Sequence, residues 1–574
     1  MVPPAVQALL PRPAASLVER LTTWVLLAAI LAGGLLRFVD LDRRSIGHPE
    51  NNVPRLVVPS WAQQPTPRDD LSSVLRGNIH DGHPPAWFVG MYAWTGVAGT
   101  ALTAVRLPSA IFGALSLLLL YLVARRLVDR PTALLATALL ACCGMHVFWS
   151  QIARMYSASC FFGLASTLFL IDFERSPRRR TGLLYAACAA IGLWMQIYAW
   201  PLLFGQILWT ASRSVRQRAP SPALSWQFLA VIAGSPVIAL ALHQNPGTRW
   251  HESAAEYFDL GYAFLGHAFQ HGPPLDSPLS RAWIRCATLG LLVIGLFGRP
   301  RVPGTVASDA TRPEPAWIFG MALTVSAAIA AFAFLAPARP TIGRTGLLLV
   351  ATLPVLLAAF SRAIERLSRW LPSWWFPRKI PLDVFLGVVP LLLMALLSEA
   401  RGVLVARGAV VFLPYLMIGV ASGVASLARA GIPRAVPIAA LLAVQFASTR
   451  YHWHAQADSV DYRGLARAMA PLVRSDDFVL AHNFWRTTPL YYDTTVGFDR
   501  FLVSERAAAL AQNPRSRAWV ILFDRPGDAV LLDMLKDYRA VGEVRAFGIA
   551  ARLFEPPDGG AGEPDRQGSS NVSG

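Results

Sequence analysis

The chain has 574 residues, of which 54% are hydrophobic and only 15% are charged. Soluble domains carry about 25% charged residues, so this composition excludes an ordinary soluble protein. The positive mean hydropathy over so long a chain also excludes disordered, collagen-like, coiled-coil and disulfide-stapled classes. The formal net charge of +17 comes from arginines in short clusters between apolar runs, which indicates membrane topology rather than nucleic-acid binding.

The apolar runs predict a polytopic α-helical membrane protein with about thirteen spans, because a spanning helix needs about 20 apolar residues, or fewer where neighbours shield it. Basic clusters fall on one side of the alternating loops, which the positive-inside rule assigns to the cytoplasm. The N-terminus is then cytoplasmic and the C-terminus outside. The predicted spans are residues 21–38, 107–124, 131–149, 154–172, 181–197, 199–212, 225–242, 282–298, 315–335, 344–361, 381–398, 407–427 and 435–450.

Three apolar runs of the chain allow more than one interpretation. The run at 21–38 has no small-residue cleavage site after it, so we interpret it as an uncleaved first span rather than a signal peptide. The pair at 181–212 must break near Tyr198–Pro201. The apolar-aromatic run at 85–102 is interpreted as a helix lying along the membrane surface, since a span there would invert the charge pattern downstream.

The chain divides into three predicted regions: a transmembrane domain over 1–450 with a first outer loop at 39–106, a small extracytoplasmic α/β domain over 451–556, and a disordered tail over 557–574. Hydrophobic periodicity gives the elements of the α/β domain. Helices are predicted over Tyr462–Val473, Trp485–Tyr492 and Ala529–Tyr538, and strands over Phe478–Ala481, Trp519–Phe523 and Val544–Phe554.

The sequence gives no metal or redox motif that we can name. All five cysteines lie inside apolar stretches, where cysteine behaves as a small hydrophobe. The pair His80 and His83 is a weak signal, more often a loop coincidence than a metal site. A divalent cation remains an open option.

Ionisable residues at the outer edge of the spans are candidates for function, because each costs several kcal/mol unless it is paired or faces water. A guanidinium binds phosphate oxygens bidentately and never loses its charge, so clustered arginines suit a phosphate head group whose tail lies in lipid. The alternative is that each arginine merely snorkels at a helix end. The outer set comprises Arg37, Asp40, Arg106, Arg154, Arg285, Arg344, Glu399 and Arg407.

The first outer loop holds the remaining polar material. Transfer of a sugar from a lipid phosphate requires a base near the acceptor and cations near the leaving phosphate. The loop can supply the base and the arginines the cations. Its candidates are Asp40, Asp42, His48, Glu50, Asp69, Asp70, His80, Asp81 and His83.

Motifs in a fixed order bring a family into view. The segments are LDRRSIGHPE at 41–50, DGHPPAW at 81–87, VRLPSAIFG at 105–113, WSQIARMY at 149–156, QIY at 196–198 and DYRGLA at 461–466. In this order they resemble the GT-C class of membrane glycosyltransferases related to protein O-mannosyltransferases and the lipid A aminoarabinose transferase. The resemblance implies transfer of a sugar, usually with inversion, from a polyprenyl phosphate donor to a glycan, lipid or protein acceptor. The site would face outward from a bacterial cytoplasmic membrane.

The resemblance also implies roles for individual residues. Glu50, with Asp81 as a second candidate, would bind and deprotonate the acceptor. Arg154 and Arg407 would hold the donor phosphate, and Arg106 and Arg344 are second choices. His83 and Tyr156 would orient the phosphate or the sugar by hydrogen bonds.

The sequence departs from the family at one position of the first outer loop. Family members carry an Asp-Glu pair there, whereas this chain has Pro49 before Glu50. Three explanations stay open: Glu50 alone is the base, or Asp69, Asp70 or Asp81 reaches in, or transfer activity is lost. Histidine is the side chain that titrates near neutral pH when unperturbed, so His48 is a further candidate base. It ranks below Glu50, because Pro49 between them points the two side chains apart.

Two rival functions remain. A transporter or flippase for a lipid-linked sugar would also need many spans and outer arginines, but such proteins often show inverted halves and charges at the bilayer midplane. Here the charges gather at one face beside a long loop. An inactive relative would keep the arginines and lose the carboxylate.

Overall fold

A computed structural model describes residues 17–42, 50, 70–80, 83–217, 220–243, 290–291, 294, 382–401, 406–429, 432–455, 461–474, 476–481, 501–503, 516–523, 526–546 and 548–556. The chain forms two units. The first comprises Met1–Val39, Leu71–Ala93 and Arg106–Ala455, and the second comprises Asp40–Asp70, Trp94–Val105 and Gln456–Gly574. Segments of the predicted first outer loop therefore group with the C-terminal region.

Helices make up the first unit and the segments that lead into it. They are α1 (Leu17–Leu36), α2 (Leu71–His80), α3 (Ala86–Ala98), α4 (Leu102–Leu127), α5 (Arg130–Ala141), α6 (Gly144–Ser150), α7 (Tyr156–Arg175), α8 (Arg179–Met195), α9 (Ala199–Gln217), α10 (Ala223–His243), α11 (Leu382–Arg401), a 3-10 helix (Ala406–Val411), α12 (Leu413–Arg429) and α13 (Ala435–Ala455). The spans predicted at 282–298, 315–335 and 344–361 lie outside the described residues, apart from single positions in the first of them.

Several helices have the length and composition of membrane spans. Among the described residues, α1, α4 and α7 are each long and apolar enough, and α5 with α6 qualifies as one bent span. The outward face of α1 is apolar, with Trp24 69% exposed and Leu31 66% exposed. A monomer in water rarely exposes such a face, so it suits lipid.

The predicted span at 107–124 begins earlier than expected. Helix α4 starts at Leu102 and runs through Pro108, although proline usually ends a helix because it cannot donate to the carbonyl four residues before it. Here that carbonyl belongs to Ala104, and Trp94 Nε1 donates to it at 2.8 Å. The indole satisfies the orphaned carbonyl, and Arg106 consequently lies within the helix rather than ahead of it.

The span predicted at 131–149 is wrong as a single helix. It is broken between α5 and α6, which are bent by 60°. Cys142 and Cys143 separate the two helices, and the carbonyls of Leu140 and Ala141 accept hydrogen bonds from a guanidinium instead of from a continuing helix. The span predicted at 407–427 likewise begins with a 3-10 turn before α12.

The break predicted near Tyr198–Pro201 is confirmed, but it begins slightly earlier in the chain than predicted. Helix α8 ends at Met195 and α9 begins at Ala199. The helix predicted over 85–102 is present as α3, whose 13 residues extend about 20 Å at 1.5 Å per residue. That is too short to cross a hydrocarbon core of about 30 Å, and its position along the membrane surface stays a prediction.

A buried polar network joins α7, α8, α9 and α12 inside the bundle. Gln206 donates to Ser166 Oγ at 3.0 Å and to Thr167 Oγ1 at 2.9 Å, and Tyr185 donates to Gln206 Oε1 at 3.0 Å. Thr167 Oγ1 and Tyr415 OH are 2.6 Å apart. In an apolar bundle, hydrogen bonds between helices fix which faces meet. This network therefore fixes how α7 packs against α8, α9 and α12.

The second unit contains a five-stranded sheet. Its strands are β1 (Phe478–Ala481), β2 (Phe501–Val503), β3 (Ala518–Leu522), β4 (Arg539–Ala546) and β5 (Ile549–Glu555), in the order β2-β1-β3-β5-β4. The first three are parallel, and β3, β5 and β4 are antiparallel. Helices α14 (Tyr462–Met469) and α15 (Pro526–Met534) pack against opposite faces.

The strand predicted at Phe478–Ala481 is confirmed, but the one predicted over Val544–Phe554 is wrong. It is a hairpin of β4 and β5, with Gly548 at φ +71° in the turn. Glycine adopts positive φ without steric cost, so the chain reverses there. Strand β2 was missed, and the helix predicted at Trp485–Tyr492 lies outside the described residues.

The carboxylate of Asp477, the residue before β1, connects the start of β1 to the start of β3. It accepts from Arg517 Nε at 2.9 Å and Nη2 at 2.8 Å, from Trp519 Nε1 at 3.0 Å and from the Arg474 amide at 2.9 Å. Hydrogen bonding to this carboxylate raises the pKa of Arg517. Asp477 is buried, so removing it leaves several donors without an acceptor.

We therefore expect Asp477→Ala to destabilise the sheet by about 2 kcal/mol, since breaking a buried ion pair is costly. Hydrogen exchange of the full-length protein in nanodiscs would measure it as faster exchange of the β1 and β3 amides. Asp476→Ala, at an exposed neighbouring position, is the matched control. Equal exchange rates in the two variants would contradict the assignment.

Candidate functional site

Four of the predicted site residues lie in the first unit and have side chains that the structure describes. Arg154 is in the turn between α6 and α7, and Tyr156 is the first residue of α7. Arg106 lies in the second turn of α4, and His83 precedes α3. Arg106 is 1% exposed and Arg154 is 7% exposed. Neither guanidinium is therefore a freely solvated, snorkelling side chain.

Two serine hydrogen bonds join the elements that carry these arginines. Ser109 Oγ on α4 donates to the carbonyl of Arg154 at 3.0 Å, and Ser157 Oγ on α7 donates to the carbonyl of Ser109 at 2.9 Å. All of these residues are buried. The backbone at Arg154 is thus fixed to the helix that carries Arg106, three residues before Ser109.

The other side of the Arg154 turn is fixed to the end of α1. Gln151, which caps α6, donates from Nε2 to the carbonyl of Leu36 at 2.7 Å and to that of Val39 at 3.2 Å. The Arg154 amide donates to the carbonyl of Ile152 at 2.7 Å, which closes the turn tightly. The turn is therefore held by side chains from both flanks rather than by helical hydrogen bonding alone.

Arg37 occupies the gap at the α5–α6 break and is fully buried. Its Nη1 donates to the carbonyls of Gly33 and Ala141, the latter at 3.2 Å, and its Nη2 donates to that of Leu140 at 3.2 Å. Nη2 also lies 2.8 Å from Nδ1 of His146. The sequence placed Arg37 among the outer charged residues without a role in donor binding.

His146 was missed by sequence reasoning. It lies on α6 and is fully buried. A guanidinium is only a donor, so Nδ1 must accept from Arg37 and the imidazole proton is on Nε2. Ser150 Oγ donates to the carbonyl of His146 at 2.6 Å. The available signal was a lone histidine within an apolar run.

Aromatic rings line the start of α7. The rings of Trp149 and Tyr156 are 4.4 Å apart, and those of Phe148 and Trp149 are 5.0 Å apart with edge-to-face geometry. Such pairs restrict rotamers and add about 0.5–1.5 kcal/mol beyond area burial. His83 lies against Phe88, with ring centroids 5.9 Å apart.

The other four predicted site residues are Glu50, Asp81, Arg344 and Arg407. Glu50 is fully buried and belongs to the second unit. Asp81 and Arg344 lie outside the described residues. Arg407 is in the 3-10 helix, but its side chain also lies outside them. Their roles stay predictions.

Within the described part of the chain, no group of three or more His, Cys, Asp or Glu residues is arranged to hold a metal ion. The cysteines described there, Cys142, Cys143, Cys160 and Cys188, are free thiols.

Helix α1 meets α5 through a glycine that leaves no room for a side chain. A Cβ on Gly33 would collide with the backbone of Ala141, whereas one on Gly34 would approach only Leu117 Cδ1, at 4.0 Å. Small residues let membrane helices approach closely. This close approach is what brings Arg37 within reach of the α5 carbonyls.

We expect Gly33→Ala to separate α1 from α5 and to destabilise the protein by about 1–3 kcal/mol, the usual cost of overpacking. Gly34→Ala is the matched control on the next residue of the same helix and should have little effect. Thermal unfolding of both variants in nanodiscs makes the comparison. Equal midpoints would show that the α1–α5 contact is not tight.

Comparison with known proteins bears on this region. Residues 82–240 match the model of the family described as dolichyl-phosphate-mannose-protein mannosyltransferase, which confirms over that stretch the resemblance seen in the sequence. No curated protein matches the chain. The match covers His83, Arg106, Arg154 and Tyr156.

Two solved structures show weaker similarity. ArnT from Cupriavidus metallidurans, bound to undecaprenyl phosphate, is 13% identical at a TM-score of 0.42, over 93% of this chain and 98% of that one. The Archaeoglobus fulgidus oligosaccharyltransferase, in complex with zinc and sulfate, is 11% identical at a TM-score of 0.41, over 92% of this chain and 73% of that one. Similarities at this level do not establish a function.

Proposed function

We propose that this protein is a membrane glycosyltransferase that moves a sugar from a polyprenyl phosphate to an acceptor outside the bacterial cytoplasmic membrane. The observation that carries the proposal is the family match over 82–240, the stretch that contains the buried Arg106 on α4 and the buried Arg154 in the turn between α6 and α7. A buried guanidinium at a helix end is the group expected for a lipid phosphate, because it stays charged and binds two oxygens.

The proposed reaction is a displacement at the anomeric carbon of the donor sugar. An acceptor oxygen or nitrogen forms the new bond to that carbon while the bond to the phosphate oxygen breaks. The acceptor proton passes to the carboxylate of Glu50, and the electron pair of the broken bond leaves with the polyprenyl phosphate. Preorganised cations stabilise the developing phosphate charge.

Arg154 is the first candidate for binding the leaving phosphate, and Arg106 is the second. The serine bonds between α4 and α7 hold the two elements in register before substrate binds. Such preorganisation avoids reordering cost in the transition state. Tyr156 and His83 are proposed to orient the phosphate or the sugar.

The experiment that tests the proposal is a transfer assay with the purified full-length protein in nanodiscs. A radiolabelled polyprenyl phosphate sugar is supplied, and release of the labelled sugar is followed over time. Turnover by the wild type supports a transferase. Binding of several donors without turnover would instead favour the transporter or the inactive relative.

A further inference from the structure

Arg37 has contacts that a snorkelling arginine would not make. Its guanidinium is fully buried, and the described partners are three backbone carbonyls and one imidazole nitrogen. A cation is rarely desolvated to satisfy carbonyls alone, because the penalty is several kcal/mol. Three of its partners, Leu140, Ala141 and His146, lie at the break between α5 and α6, and the fourth is the Gly33 carbonyl on α1.

Gln151 makes the reverse contact, from the end of α6 to the end of α1. Arg37 reaches from the end of α1 to the α5–α6 break, and Gln151 reaches from the end of α6 back to the carbonyls of Leu36 and Val39. Arg37 lies between these two carbonyls in the chain. The two side chains therefore make a reciprocal lock between the end of α1 and the segment that leads to Arg154.

We infer that Arg37 is a positioning residue for the donor phosphate: it sets the angle between α5 and α6, and through Gln151 the place of the Arg154 turn. The inference rests on the proposed function, since it presumes that Arg154 binds phosphate. Val39 is also the last residue of the first unit before the segment that leads to Glu50. The Gln151 bond to the Val39 carbonyl holds this end of the first unit to the segment that leads to Arg154.

Lysine cannot replace arginine in this lock. The guanidinium presents five donors in a rigid fork, whereas the ammonium is a compact point charge with three rotatable donors. Arg37 uses separate nitrogens of one fork for carbonyls on two helices and for His146. Arg37→Lys keeps the charge and loses this geometry.

A double-mutant cycle tests the inference with a polyprenyl phosphate lacking sugar as the probe, titrated into nanodiscs that contain the full-length protein. We expect Arg37→Lys and Arg154→Lys each to weaken binding about tenfold or more. The double variant should bind polyprenyl phosphate no more weakly than whichever single variant binds it less tightly, because Arg37 acts only through Arg154. Multiplied losses in the double variant would overturn the inference.

Two further variants guard against a trivial result. Gln151→Met preserves volume, removes the second half of the lock and should show the same coupling to Arg154→Lys; additive losses for it would also overturn the inference. Arg125→Lys, exposed at the other end of α4, should leave binding unchanged. If Arg154→Lys alone leaves the affinity for polyprenyl phosphate unchanged, the proposed donor site is wrong. If Arg154→Lys weakens binding but the effects of Arg37→Lys and Arg154→Lys are independent, only the role of Arg37 is wrong.

Discussion

Arg154→Ala is expected to weaken binding of a polyprenyl phosphate sugar by at least about 30-fold, since truncating one partner of a buried charge pair costs about 2–5 kcal/mol. The guanidinium is 7% exposed and starts from a backbone fixed on both flanks. Equilibrium titration of the donor in nanodiscs measures the loss.

Arg175→Ala supplies the control, because Arg175 lies at the opposite end of the same helix and is exposed. Its Nη2 donates to the carbonyl of Arg126 at 2.6 Å, and the contact adds little to stability at a wetted surface. Arg154→Lys should give an intermediate affinity, since it keeps the charge without the fork. Unchanged donor affinity in Arg154→Ala would remove Arg154 from the site.

Glu50→Gln is expected to lower kcat by about 100-fold or more, the contribution of a positioned general base. Glutamine keeps the shape of the side chain and cannot accept the acceptor proton. Donor affinity should stay within about twofold, because the proposed phosphate site is formed by other residues and the proposed role of Glu50 is in the transition state. Single-turnover sugar transfer with saturating donor separates the two effects.

Glu19→Gln, exposed near the start of α1, is the control and should be silent. Full turnover in Glu50→Gln would transfer the base to Asp69, Asp70 or Asp81. If the wild type binds donor but does not turn over, a gain of activity in Pro49→Asp would identify the substituted family position as the cause. No gain would favour transport.

Sequence-based predictions of strand bounds were accurate where the local residue pattern determines the strand. Strand β1 is four apolar residues buried on both faces, as in parallel sheets, and it was predicted at its observed bounds. The β4–β5 hairpin was taken for one strand, because apolar alternation continues across the reversal at Gly548. Only the positive φ at that glycine reveals the reversal.

Arginine positions could be listed from the sequence, but their roles could not be ranked. Arg37 and Arg154 look alike in the chain, each a single cation beside an apolar run. Contacts over a separation of about one hundred residues distinguish them. Arg37 bonds to Leu140, Ala141 and His146, and these partners follow from where α1 packs, which no local pattern encodes.

The sequence by itself indicated the membrane class, the order of the helices in the N-terminal part and the family resemblance over 82–240, because composition, hydropathy and short motifs are local properties. The tertiary structure alone decided where the span at 131–149 breaks, which donor satisfies the Ala104 carbonyl that Pro108 leaves free, and which residues hold the Arg154 turn. Those outcomes depend on hydrogen-bond donors supplied by distant segments, and buried polar groups must find such partners wherever the fold brings them.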